Sequence, residues 1–362
     1  MNTDHRIALL RRRLADAELS AIVVTDSTNM LYLTGFEGVF DESSNVACVI
    51  SQTGAWVYTD FRYEAAVNQA CESTQWVLRT VSDSLYIRLC EDIATDGIDS
   101  LAIESSVPYG RFRYISERFQ GNIEVVDQWI EEIRQVKEVH EIERIRAAAA
   151  LTDRAFEHIL PHLVPGASER DIALELEVFM RQNGSEGFAF RPIVASGVNS
   201  SRPHAIASDR NFSAGDFVTI DIGAKVGGYC ADMTRTVVIG KASAQQKEIY
   251  GLVKEAQEAG LSAVRGGLRG YVIDEAARQI INKAGFGDLF GHGLGHGVGL
   301  EVHELPTVSP RGRDAVLSGS VITIEPGIYV PGLGGVRIED LVVVEDNGCT
   351  VLSSSPRELL EI

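Results

Sequence analysis

Four carboxylates occupy two matched settings in the 362-residue chain. FVTIDIGAKVGGYCADMTRTVVI holds Asp221 and Asp232; VITIEPGIYVPGLGGVRIEDLVVV, about 104 residues later, holds Glu325 and Glu339. Both stretches read Thr-Ile-acid-x-Gly, a glycine-bearing turn, then a second acid before a β-branched run, which is a hairpin pattern. Residues two apart on a strand share a face. Asp221 therefore lies with Thr219 and Gly223, and Asp232 with Thr234 and Thr236. Likewise Glu325 lies with Thr323, and Glu339 with Arg337 and Leu341. All four acids are expected inside apolar strands, where a lone carboxylate is costly to bury. Clustered there, they cannot all stay ionised without strong positive compensation, and hard divalent cations supply it.

His296 is the fifth ligand candidate, set in FGHGLGHGVGLEVHE among closely spaced glycines that let the backbone pass near a ligand. Four carboxylates and one imidazole suit Mn²⁺, Co²⁺ or Zn²⁺ better than Cu⁺ or a thiolate zinc site. Two such ions, bridged by carboxylates, would hold a hydroxide between them as nucleophile. His204 and His303 each lie in a loop near one hairpin. His5, His140, His158 and His162 lie on helical segments among charged neighbours and read as surface side chains. Competing motifs are missing: His303-Glu304 is followed by Leu305-Pro306-Thr307, so there is no HExxH, and P-loop, GxGxxG and GxSxG patterns do not occur.

The elements that must position these residues fall into two groups. Up to about residue 125, helical and strand patterns alternate. Asp4 to Ala17 reads as a helix, Ala21–Thr25 as a buried strand, and NMLYLTGF, NVACVI and AWVYT as three further β-forming runs. FRYEAAVNQAC (helix), LAIE (strand), RFRYISERF (helix) and IEVV (strand) complete a small α/β layer. A boundary is expected at Asp127, giving domains of residues 1–127 and 128–362. WIEEIRQVKEVHEIERIRAAAALTDRAFEHIL then reads as one or two helices. SERDIALELEVFMRQNG reads as a helix with a Ser cap and a stop at Gly184. FAFRPIV joins the first doubled motif as strand. Two helices (Gln245 to Val264; Tyr271 to Lys283) precede the second strand-rich stretch. A duplicated helix–helix–hairpin unit about a pseudo-twofold would set the four carboxylates face to face.

Composition narrows the partners. Thirty-three basic against 51 acidic residues give a net charge of −18, which speaks against nucleic acid. The charged N-terminus carries no apolar signal core, and no uncharged apolar run reaches the roughly 18 residues a membrane span needs. Five scattered cysteines (Cys48, Cys71, Cys90, Cys230, Cys349) fit reduced structural thiols in a cytoplasmic protein.

DIGAKVGGYCADMTRT, GHGLGHGVGLEVHE, ITIEPGIY and GVRIED resemble the motifs of the pita-bread metallopeptidases, nearest to the proline-specific branch of Xaa-Pro dipeptidase (prolidase) and aminopeptidase P. YLTGF, TDFRY and IRQVKEVHEIERIRAA extend the likeness to a creatinase-type N-terminal domain and its junction. The fold implied is α+β: a small α/β creatinase-type domain, then a pseudo-twofold pita-bread catalytic domain. The resemblance implies that Asp221 is the terminal ligand of one metal, that His296 and Glu325 hold the other, and that Asp232 and Glu339 bridge both. It makes Glu325 a proton shuttle as well, and His204 and His303 the binders of the scissile carbonyl region. His292 and Arg337 match positions typical of the proline-specific branch. It implies short peptides with proline second as substrates, two divalent ions (Mn, Co or Zn), and a homodimer. The chemistry agrees with the residues: imidazoles steady a developing oxyanion, and a carboxylate passes a proton to the leaving nitrogen.

Three alternatives share the fold: a methionine-type aminopeptidase, a metal-free creatinase-type hydrolase, and a non-catalytic binding module. The first usually lacks the N-terminal domain and the His292 and Arg337 positions; the others should have lost carboxylates that all stand here. Dipeptidase and aminopeptidase P both stay open, the chain's shortness favouring the former. The loop Gly35–Asn45, with Asp41 and Glu42, is a candidate for closing the site or pairing with a substrate amine.

Overall fold

A computed structural model of the chain describes residues 3–40 and 45–362. The chain divides into two compact units between Arg134 and Gln135. In the first, strands β1 (Ala21–Val24), β2 (Val46–Ser51), β3 (Ala55–Asp60), β4 (Val77–Val81), β5 (Ser100–Glu104) and β6 (Asn122–Val126) form one sheet in the order β4-β3-β2-β1-β5-β6. β1 lies antiparallel to β2 and parallel to β5, so the sheet is mixed. Helices α1 (Thr3–Asp16), α2 (Ser27–Thr34), α3 (Glu64–Cys71), α4 (Leu85–Thr95), α5 (Tyr109–Ser116) and α6 (Trp129–Arg134) complete it. Val23, Val49, Leu89, Leu101 and Ile103 are fully buried in its core. Helix α6, expected beyond the boundary at 127, belongs to this unit.

NMLYLTGF, expected as a strand, is instead most of α2. The Asp26 carboxylate accepts the Asn29 N–H at 2.9 Å, and Gly35 at φ +70° ends the helix. Two strong caps thus override the β-forming composition of the run. β4 and α4 are absent from the sequence reading; β4 is a half-exposed edge strand without a clear alternation. Asp41 and Glu42 lie outside the described residues.

The second unit runs helix pair, hairpin, helix pair, hairpin. Its first half holds α7 (Val139–Ile159) with a 3-10 turn (Leu160–His162), α8 (Glu169–Gln182), and strands β7 (Ile193–Ser196), β8 (Phe217–Ile222), β9 (Lys225–Val226), β10 (Tyr229–Cys230) and β11 (Met233–Val238). The second half holds α9 (Ala244–Ala263), α10 (Gly270–Lys283), β12 (Gly295–Gly297), β13 (Glu304–Val308), β14 (Val321–Ile324), β15 (Gly327–Val330), β16 (Gly334–Arg337), β17 (Asp340–Glu345) and β18 (Gly348–Val351). The sheets are β11-β8-β7 and β13-β12-β14-β17-β18. Each hairpin, β8/β11 and β14/β17, carries a two-stranded ribbon between its arms, β9/β10 and β15/β16. Ser168 caps α8 through the Asp171 N–H, as expected.

One expectation needs correcting. Only Asp221 lies within a strand; Asp232, Glu325 and Glu339 stand immediately outside β11, β14 and β17. Pro326 follows Glu325 and has no N–H to continue the ladder. The Glu339 N–H leaves its own sheet for the carbonyl of Thr234, at 3.1 Å. The acids therefore sit where the hairpins meet, not along their flanks.

Candidate metal centre

Four of the five ligand candidates, Asp221, His296, Glu325 and Glu339, are held by hydrogen bonds from their surroundings. Thr234 donates to Glu339 Oε2 at 2.6 Å, and Arg337 donates to Asp221 Oδ2 at 2.5 Å and, through Nε, to Thr234 at 3.0 Å. Thr323 accepts the His296 backbone N–H at 3.1 Å and donates to Glu325 Oε1 at 3.2 Å. In the second hairpin the Thr-Ile-acid spacing thus lets Thr323 steady the acid two residues on, whereas Thr219 of the first bonds Thr236 and the Gly335 carbonyl. His296 Nδ1 lies 3.1 Å from the Gly297 carbonyl and donates to it. That bond aims Nε2 at the carboxylates, 3.2 Å from Glu325 Oε1 and 3.7 Å from Asp232 Oδ2. Asp232, His296 and Glu339 bring one ligand atom each within 4.8 Å of one another.

The charges are unbalanced. Asp221, Asp232 and Glu339 are all buried. Desolvation, then repulsion from Glu339, Asp221 and Glu325, holds Asp232 far above the usual carboxylate range. Glu339 is raised in the same way by burial and by Glu325 and Asp221. Asp221 also rises, chiefly from burial, although Arg337 opposes it. Burial pushes Glu325 upward too, but the hydrogen bond and charge of His296, with His292 and Arg337, bring it down to about 2. One arginine cannot neutralise four carboxylates. Asp221 Oδ1 is moreover buried without a hydrogen-bond partner. An orphaned carboxylate oxygen beside mutually repelling acids and an imidazole nitrogen aimed at them is a donor set that fits divalent cations.

The comparisons agree with that chemistry. Residues 143–346 match metallopeptidase family M24, and residues 6–136 match the creatinase/prolidase N-terminal domain. The chain belongs to metallopeptidase family M24. It is 36% identical over 343 residues to a Xaa-Pro dipeptidase of Pyrococcus horikoshii, covering 94% of this chain and 95% of the relative. A solved Xaa-Pro dipeptidase from Bacillus anthracis superposes with a TM-score of 0.95 at 37% identity over 100% of both chains. An X-Pro aminopeptidase from Thermotoga maritima gives 0.87 at 36% identity, covering 97% of this chain and 100% of the other.

In this M24 chain the acids open into a pocket of about 500 Å³ whose wall includes His204, His292 and His303. The His303 ring lies 4.2 Å from that of His296, and burial followed by the charge of His296 lowers its pKa. His292 is placed differently from His204 and His303. Its Nδ1 meets the Gly293 carbonyl at 2.8 Å and its Nε2 meets the Tyr329 hydroxyl at 2.9 Å, so both ring nitrogens are engaged. Tyr329 in turn accepts from Arg337 at 2.8 Å. Sequence reasoning missed Tyr329 and the buried pair Lys137–Glu304, at 3.1 Å next to His303. ITIEPGIY contains Tyr329 at the fourth position after Glu325, a usable signal. Lys137 carried none, because its partner is 167 residues away.

Proposed function

We propose that this metallopeptidase is a Xaa-Pro dipeptidase, cleaving the bond between an N-terminal residue and a following proline. The observation that carries the proposal is the convergence of Asp221, Asp232, His296, Glu325 and Glu339 on one pocket in a chain whose two domain types both recur in relatives named Xaa-Pro dipeptidase. In this reading Asp221 would be a ligand of one ion, His296 and Glu325 would serve a second, and Asp232 and Glu339 would be shared between them. Two divalent ions held there would activate water and polarise the scissile carbonyl.

The chain's own groups divide the remaining work. Glu325, ionised and at the pocket wall, takes a proton from the attacking water and hands it to the secondary amine of the departing proline. His204 and His303 bind the carbonyl region and steady the developing oxyanion. Arg337 fixes Asp221 and, through Tyr329, the ring of His292, which makes His292 a positioning residue. Phe190, Pro203 and Ile206 give the pocket an apolar wall for the pyrrolidine. The proposal extends to Mn²⁺, Co²⁺ or Zn²⁺ as the ions, to a homodimer, and to the cytoplasm, where five free thiols are at home.

Aminopeptidase P activity is the second reading, favoured by the likeness to the Thermotoga maritima enzyme. Chelator-stripped protein, assayed with Ala-Pro, Ala-Pro-Ala and Met-Ala-Ser with and without each metal, separates them. Metal-dependent cleavage of Ala-Pro alone is expected. Release of alanine from Ala-Pro-Ala selects the second reading, and cleavage of Met-Ala-Ser alone or of nothing overturns both.

A further inference from the structure

We propose that the end of α7 and the flank of α8 form a separate surface site for a borderline divalent transition ion such as Zn²⁺, with His158, His162 and Glu175 as ligands. One ligand atom from each lies within 4.8 Å of the other two. His158 Nε2 already meets Glu175 Oε1 at 2.7 Å, and both side chains are open to solvent, at 31% and 40%. The remaining histidine follows one turn later, in the 3-10 turn that closes α7, and its Nδ1 is oriented by the His158 carbonyl at 3.2 Å.

Three features make this more than neighbouring polar side chains. His158 stacks on Phe179 with ring centroids 4.2 Å apart and planes 18° off parallel, which fixes the imidazole before any ion arrives. The site lies at the C-terminal end of a 21-residue helix, the end whose dipole favours a cation. Two imidazoles and a carboxylate are a zinc-type donor set that leaves a coordination position for water. Arg154 lies 6.0 Å from the Phe179 ring and is bonded to Asn183 Oδ1. On binding, the ion takes the Nε2 lone pair of His158, and the proton that Nε2 shares with Glu175 passes through solvent to Nδ1. The ion would pin α7 to α8 and takes no part in peptide hydrolysis.

Equilibrium dialysis against Zn²⁺ with metal counted by mass spectrometry tests this. Wild type, His162→Ala, Glu175→Gln and a His5→Ala control all keep the five ligand candidates of the pocket, so differences count the surface site alone. One Zn²⁺ fewer per chain is expected in His162→Ala and Glu175→Gln, or at least a tenfold weaker last equivalent, with circular dichroism and peptidase activity unchanged. Equal counts in wild type and both variants overturn the site. An equal loss in His5→Ala overturns it as well, since it marks adventitious binding to exposed histidines.

Discussion

At the residue scale, the same carboxylates that suit the chain to hold cations burden it without them. Asp232 and Glu339 are held above their ordinary range by burial and mutual repulsion, so in metal-free protein the folded state binds protons more tightly than the unfolded chain. Stability from such groups is complete below the unfolded values near 4 and declines as pH rises through the folded ones. Chelator-stripped protein is therefore expected to melt lower at pH 7.5 than at pH 5.5, and added Mn²⁺ to reverse the difference. Asp232→Asn and Glu339→Gln remove one repelling charge each. Both are expected to flatten that pH dependence while abolishing activity and lowering bound metal. A variant that kept full activity without bound metal would sink the bridging role, and an unchanged melting slope would sink the electrostatic account. These acids were legible because a carboxylate among β-branched neighbours is conspicuous in one dimension. Tyr329 was not, since a tyrosine in an apolar run looks like core until its hydroxyl is seen between His292 and Arg337.

At the element scale, the ligand histidine depends on glycine. β12 is three residues long, and a Cβ on Gly295 would come 2.0 Å from the Thr323 carbonyl oxygen of the neighbouring strand. Backbone cannot yield there as a flexible side chain would. Gly295→Ala is expected to displace His296, with a stability loss of about 1–3 kcal/mol and a rate loss on the order of 10²-fold from misplacement. Thermal melts and kcat of the metal-loaded variant check this, and a wild-type kcat would show that β12 has slack. The glycine spacing made the close approach readable in the sequence, whereas α2 was misread because composition was weighed above caps. Asp26 ahead of NMLYLTGF and Gly35 near its end cap the helix and set the state of the run. Conversely, the doubled Thr-Ile-acid motif located both hairpins, whose strands are buried on both faces and so read as continuous apolar runs around each acid.

At the scale of the whole molecule, all five ligand candidates, the groups bonded to them (Thr234, Thr323 and Arg337) and Tyr329, which Arg337 bonds, belong to residues 135–362. That unit has its own apolar cores, one around Val218, Ile220 and Phe156 and another around Ile322, Ile324 and Val253. A segment with its own hydrophobic core is able to fold alone. A fragment of residues 135–362 is therefore expected to melt cooperatively and to bind as much Mn²⁺ as the full chain at the pocket. Its activity on Ala-Pro then isolates what residues 1–134 add. A folded, metal-loaded fragment with unchanged turnover would place every element of proline-peptide recognition in the second unit. A folded fragment that binds metal but has lost turnover would assign substrate capture to the first unit. An unfolded fragment would overturn the independence that the separate cores imply.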